Sequence, residues 1–343
     1  MKYQECTNRN NNSKNIIKLF IRLKIKHKRL YLNLHHVLNA RCSGIIYIYA
    51  DIWCRGLKMN DNHPVKTTFM RFLFFATLFF LSFSLIAQQP VTPEKDAENN
   101  FSFTVGNVYF QVNANHGARI ESYKLNDIEL LYLEKKPGAE DMYGSTSWLS
   151  PQNLWGWPPQ NEIDKEPYTG GISGKNIILT SDIATANNNF KFQIRKKFSA
   201  DLQDSSITVN YTVINKAAVA KSIASWEITR VPSGGLTFFP INGTVSGDLA
   251  PIFEIVDDIA WWDFDSTRNI FNKAFADGRE GWVAHIDNNR LIHIKKFTDA
   301  ASNFPSSTEK EVEFWAESGR NYTEIEKHTH DRSVPANDST TLT

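Results

Sequence analysis

The sequence predicts an all-β domain of the sandwich or barrel type, and three observations carry that prediction. Apolar and polar residues alternate with a period of two along many short runs. Turn-forming residues separate those runs. No stretch after residue 100 shows a long apolar stripe at helical spacing.

The elements follow in chain order. Residues 1–69 carry 13 Lys and Arg against 3 Asp and Glu, a net +10, and hold all 3 cysteines, Cys6, Cys42 and Cys54. With an Asn-rich start, a basic stretch from Lys18 to Arg29 and no strand-and-turn grammar, they read as an upstream extension foreign to the folded protein. A basic arm or a membrane anchor is the competing reading. From Met70 the sequence runs MRFLFFATLFFLSFSLIAQQP: one Arg, an apolar run, then small and polar residues. That is the make-up of a secretory signal peptide over 70–87, and it is too short for a convincing transmembrane span. The expected product starts at Gln88, is periplasmic or secreted, and keeps no stable membrane anchor.

Residues 88–343 then number 256 and carry 24 Lys and Arg against 34 Asp and Glu, a net −10. An acidic surface argues against nucleic acid as the partner. The absence of cysteine from this part rules out disulfides, a thiol nucleophile and cysteine-ligated metal there. Residues 88–100 are polar and read as a linker, and 101–343 as one large β domain.

Within that domain the alternation is plainest at 190–198. Phe190, Phe192, Ile194 and Phe198 share one face, and Lys191, Gln193, Arg195 and Lys197 the other. Over 206–213, Ile207, Val209, Tyr211 and Val213 alternate with polar residues. Further strands are expected at 101–112, 118–125, 128–133, 175–180, 222–230, 236–241, 281–286, 290–297, 310–317 and 321–329. Residues such as Asn126-Asp127, Asp277-Gly278 and Ser318-Gly319 mark turns between them. The last residues, from Pro335, read as a turn and the opening of a strand, either a short edge strand or a fragment lacking its last strand.

Two segments could carry chemistry. Residues 144–159 read GSTSWLSPQNLWGWPP, with Trp148, Trp155 and Trp157 close together, and Pro and Gly argue for a loop. Indole faces stack on the apolar faces of sugars, and Gln152 and Asn153 could bond hydroxyls, so the loop is either a wall of a carbohydrate site or a hydrophobic plug. The strand at 321–329 projects Tyr322, Glu324, Glu326 and His328 from one face, a general acid/base surface or a solvated strand. The strand before it lines up Glu311, Glu313, Trp315 and Glu317. If the two pair, an acidic and aromatic strip forms. Weaker candidates are His285 and His293 on neighbouring strands, Arg119, and Glu227 and Arg230 in the run from Trp226. No GxSxG elbow, P-loop, HExxH or dinucleotide fingerprint appears, and no metal-ligand spacing is present.

The opening FSFTVGNVYFQVNANHGARIESYKLNDIELL resembles the start of galactose-mutarotase-like proteins. The order of GSTSWLSPQNLWGWPP, SWEITRVPSGG and YTEIEKHT resembles the DUF4380 branch of that superfamily, over roughly residues 101–343. The resemblance implies a β-supersandwich with a sugar-binding concave face and no cofactor. It implies that Glu326, with Glu324 as the alternative, takes the proton of the anomeric hydroxyl while a His protonates the ring oxygen. The histidine segment of aldose mutarotases is absent and SWEITRV stands near its place, which leaves His293 or His285 as the acid. Trp148, Gln152, Trp155, Trp157, Arg119, Glu227, Arg230 and Trp315 are then expected to contact sugar. The expected function is a carbohydrate-binding protein, with aldose 1-epimerase chemistry or as a non-catalytic accessory module of a glycan-degrading system. A β-sandwich with no small ligand is the third reading.

N-terminal sequencing of the exported protein should begin near Gln88; peptides from residues 1–69 in that product would overturn the assigned start.

Overall fold

The structure is a computed structural model, and it describes residues 91–135, 142–265, 267, 270–288, 291–299 and 309–343. The extension at 1–69, the signal segment at 70–87 and the start of the linker lie outside the described residues.

The strands run β1 (Glu94–Lys95), β2 (Asn100–Val105), β3 (Val108–Asn113), β4 (Arg119–Leu125), β5 (Ile128–Glu129), β6 (Ser145–Ser150), β7 (Thr169–Ser173) and β8 (Asn176–Thr180). They continue as β9 (Ala184–Thr185), β10 (Lys191–Asp201), β11 (Ser206–Asn215), β12 (Lys221–Pro232), β13 (Leu236–Pro240), β14 (Glu254–Val256) and β15 (Ile259–Trp262). The rest are β16 (Phe271–Ala276), β17 (Trp282–Ile286), β18 (Ile292–Lys296), β19 (Val312–Glu317), β20 (Tyr322–His328), β21 (Arg332–Val334) and β22 (Ser339–Leu342). One helical turn, α1 (Asn161–Asp164), follows the tryptophan segment.

The strands form three antiparallel sheets. The large sheet has the order β1-β2-β3-β4-β6-β12-β20-β19-β16, with β5 on β4 and β21 on β12. A second sheet has the order β22-β11-β10-β8-β7 with β9 on β10, and a third β14-β15-β13-β17-β18. Two apolar clusters join them. Phe101, Phe103 and Phe110 of the large sheet pack with Ile177, Phe192 and Phe198 of the second, the Phe110 and Phe198 rings 5.7 Å apart. Val231, Phe314 and Ile325 pack with Phe239, Trp262 and Val283 of the third, Phe314 lying 5.3 Å from Phe239 and 5.1 Å from Trp262. Burying each such ring contributes roughly 2–3 kcal/mol.

This packing sorts the side chains of β12, β19 and β20 by parity. The face of Val231, Phe314 and Ile325 is turned to the third sheet. The register Trp226↔His328, Ile228↔Glu326 and Arg230↔Glu324 puts the other parity together on the opposite face.

The all-β prediction stands, and several boundaries change. The run at 101–112 is a hairpin, divided by a turn at Gly106-Asn107. Only Ile128–Glu129 of 128–133 pairs as a strand. Glu94–Lys95, placed in the linker, extends the large sheet beside β2. The final residues form β22, an edge strand paired with β11. The main correction concerns the segment read as a loop: Ser145–Ser150 is a central strand between β4 and β12, and all six of its residues are buried. Covered on both faces, it has no alternation to display. Gly144 makes its entry possible: at φ 63°, a Cβ there would lie 2.2 Å from the Ile120 carbonyl oxygen.

Candidate functional site

The two acidic strands, whose pairing the sequence left conditional, are paired in the structure. In β19 and β20 Glu313 stands opposite Glu326, and Trp315 opposite Glu324. Glu311 leaves the strip, because it turns to Lys327 at 2.6 Å. The next strand outward, β16, brings Lys273 opposite Trp315, and its Nζ bridges both carboxylates, 2.8 Å from Glu313 and 2.9 Å from Glu326. The same ammonium lies 4.4 Å from the centre of the Trp226 ring, and Trp226 Nε1 donates to Glu326 Oε2 at 2.8 Å.

Glu313, Glu326 and His328 are fully buried, and the Lys273 side chain, 18 % exposed, is where the group meets solvent. Burial sets the electrostatics. Burial opposes ionisation of Glu313, but Lys273 and His328 outweigh it and hold its pKa down to about 2. For Glu326 burial dominates, and with the like charges of Glu313 and Glu324 it overcomes the pull of Lys273, raising the pKa to about 7. Burial works against the Lys273 charge too, yet the two carboxylates hold its pKa above the ordinary lysine value. Neighbouring carboxylates with pKa values pushed apart are the arrangement that lets one act as acid or base near neutrality.

His328 completes the group. Its ring stacks on Trp226 at 4.9 Å, and Nε2 lies 3.3 Å from Glu313. Nδ1 sits 3.2 Å from Ser150 Oγ, whose hydroxyl donates to Glu309 at 2.6 Å. The Ser150 proton is thus committed to Glu309, so Nδ1 is the donor toward Ser150 and the lone pair falls to Nε2 in the neutral ring. Glu326 Oε1 and His328 Nε2 are buried and make no hydrogen bond in the structure.

The tryptophans border this group. Trp148 stands opposite Trp226 in the β6–β12 register, with ring centres 5.2 Å apart, and Trp155 and Trp157 follow at 5.9 and 5.6 Å from Trp148. Trp148 and Trp155 are core residues, whereas Trp157 is 46 % exposed. The segment is therefore plug and rim together. Gln152 lies beside it, its backbone N–H donating to Glu309.

The other expected ligand residues serve the architecture. Arg119 is buried and paired to Asp164 of α1 at 2.9 Å, and Asp164 accepts from Trp148 Nε1. Arg230 is buried and paired to Glu324 at 2.7 Å, which removes Glu324 as a free base. Glu227 faces the third sheet, bonded to Ser145, Thr229 and Lys295. Trp315 stacks on Tyr322 at 5.7 Å. His293, expected as the acid, stands on β18 opposite His285 and edge-on to Tyr123, on the sheet that covers the other face of β20. The histidine beside Glu326 is His328, two residues along the same strand. Lys273, Ser150 and Glu309 carried no local signal. A groove of about 770 Å³ lined by Thr104, Tyr109, Gln111 and Lys124 shares no residue with this group.

No family profile matches the chain, and no curated protein matches it. Solved structures do. A galactose mutarotase-like protein from Lactobacillus casei is 11% identical, covers 70% of this chain and 97% of its own, and superposes with a TM-score of 0.50. A candidate aldose 1-epimerase from Escherichia coli K12 is 12% identical, with 70% and 95% covered and a TM-score of 0.50. The Slr1438 protein of Synechocystis is 13% identical, with 73% and 95% covered and a TM-score of 0.51. The fold is thus galactose-mutarotase-like.

The histidines of the third sheet generate a pH prediction. Burial lowers the pKa of His285 to about 4, although Asp287 opposes it. The unfolded chain binds that proton from the ordinary histidine value downward and the folded chain does not, so stability falls as pH drops from about 6.5 toward 4. Urea unfolding at pH 7 and pH 5 should differ by about 1–2 kcal/mol more in the wild type than in His285→Gln. An equal difference in both proteins would show that His285 is not the group responsible.

Proposed function

We propose that the protein is an exported sugar-binding protein that opens and recloses an aldose ring at the anomeric carbon, with Glu326 as base and His328 as acid. The observation that carries this reading is the pair of buried, unbonded atoms Glu326 Oε1 and His328 Nε2, in a group whose facing donor atoms lie within 4.8 Å of one another. The anomeric hydroxyl and the ring oxygen share one carbon, so a base and an acid this close can serve both. Glu326 accepts the hydroxyl proton while the C1–O5 bond breaks, and His328, which takes up a proton at Nε2 before this step, delivers it to O5, leaving the open-chain aldehyde. Rotation about the C1–C2 bond and the reverse transfers close the ring on the other face. Lys273 leaves the carboxylates as the sugar arrives, and Trp157 supplies an exposed aromatic face. The order of the three sequence pieces quoted above supports a relationship to the DUF4380 branch.

A second reading, a sugar-binding module without catalysis, draws on Lys273, whose ammonium already occupies both carboxylates. Anomer exchange followed by polarimetry or NMR over a panel of aldoses separates the two. The wild type should accelerate exchange, and Glu326→Gln should lower that rate by about 10²–10⁴-fold. Equal rates with and without wild-type protein contradict the epimerase reading, and sugar binding without exchange supports the module.

A further inference from the structure

We propose that Glu313, Glu326 and His328 form a divalent-cation site, suited to an ion such as Mn²⁺ or Zn²⁺, that the ion enters by displacing the Lys273 ammonium. Among the described residues these three are the one group of His, Cys, Asp and Glu side chains whose ligand atoms converge, all within 4.8 Å. Tetrahedral donors about 2.1 Å from an ion lie about 3.4 Å apart, so closure draws the three ligand atoms together by at most about 1.4 Å. One imidazole with two carboxylates suits these ions better than Ca²⁺ or Mg²⁺, which favour oxygen ligands alone.

Three independent features point to a cation. Glu326 Oε1 and His328 Nε2 are buried with no hydrogen bond, a costly condition for polar atoms unless a ligand meets them. The Glu309–Ser150 relay holds Nδ1 as the donor, which turns the lone pair of Nε2 toward Glu313 at 3.3 Å. A lone pair facing a carboxylate is repulsive unless a proton or a metal stands between them, and a carboxylate behind the other ring nitrogen is what metal-bound histidines use. The charge count is the third. When Glu326 is ionised, two carboxylates against one ammonium leave an uncompensated negative charge, whereas a divalent ion balances both. Lys273 already marks the position where positive charge is held, 2.8 and 2.9 Å from the two carboxylates, and its partly exposed side chain can withdraw to solvent.

The inference does not rest on the sugar reading, because ion binding is read directly; if both hold, ion and sugar exclude each other at Glu326. The test is titration of the full-length protein with Mn²⁺, following free ion by electron paramagnetic resonance. The wild type should bind one Mn²⁺ that Glu313→Gln and His328→Ala lose. Ser150→Ala should bind it about tenfold more weakly. Lys273→Met should bind it more tightly than the wild type, an outcome that misfolding cannot imitate. Wild-type titration curves for Glu313→Gln and His328→Ala, or unchanged or weaker binding by Lys273→Met, would overturn the proposal.

Discussion

Two buried carboxylates facing each other across neighbouring strands are the constraint on which the large sheet is organised. Glu313 and Glu326 occupy one cross-strand pair and are both fully buried. Like charges about 4 Å apart repel by about 4 kcal/mol even at an effective dielectric of 20, and burial adds desolvation. The neighbourhood answers in three ways. Lys273 reaches in from β16 to bridge them, the Trp226 indole N–H donates to Glu326, and His328 lies against Glu313. Glu326 takes the remainder of the strain as a raised pKa. A site that holds a buried charge imbalance of this kind is prepared for something that corrects it, whether a proton, a sugar hydroxyl or a metal ion.

The ion pairs around this group do a different job. Arg119 with Asp164 ties the helical turn after the tryptophan segment to the large sheet, and Arg230 with Glu324 secures the neighbouring β12–β20 register. Removing one member of such a buried pair costs about 3–5 kcal/mol, because the other charge is left uncompensated. Charged type alone does not distinguish these residues from Lys273. Exposure does: both arginines are sealed, and the Lys273 side chain reaches solvent.

Much of the fold was legible because most strands have one buried and one polar face. β10, β19 and β20 lie close to their expected positions, and the acidic strip followed once two alternating runs were paired. β6 was not legible. It is buried on both faces and built from Ser, Thr, Trp and Leu, so its period vanished and the nearby Pro and Gly spoke for a loop. The site was half legible for a related reason. Glu326 and His328 sit two apart on one strand and declare a shared face, but their partners Glu313, Lys273, Ser150 and Glu309 come from other strands and turns. Only sheet order brings those together. His293 had the right residue type and the wrong sheet: strand order, invisible in a single sequence, turns β18 to the opposite side of β20.

The central claim is that this buried group, and not the exposed groove near Tyr109, receives the ligand. A crystal structure of the protein soaked in a saturating aldose tests it most directly. The account predicts sugar density with the anomeric hydroxyl within hydrogen-bonding reach of Glu326 Oε1, the ring oxygen within reach of His328 Nε2, and Lys273 turned away from both carboxylates. Sugar bound in the groove lined by Thr104, Tyr109 and Lys124, with Lys273 still bridging Glu313 and Glu326, would contradict it.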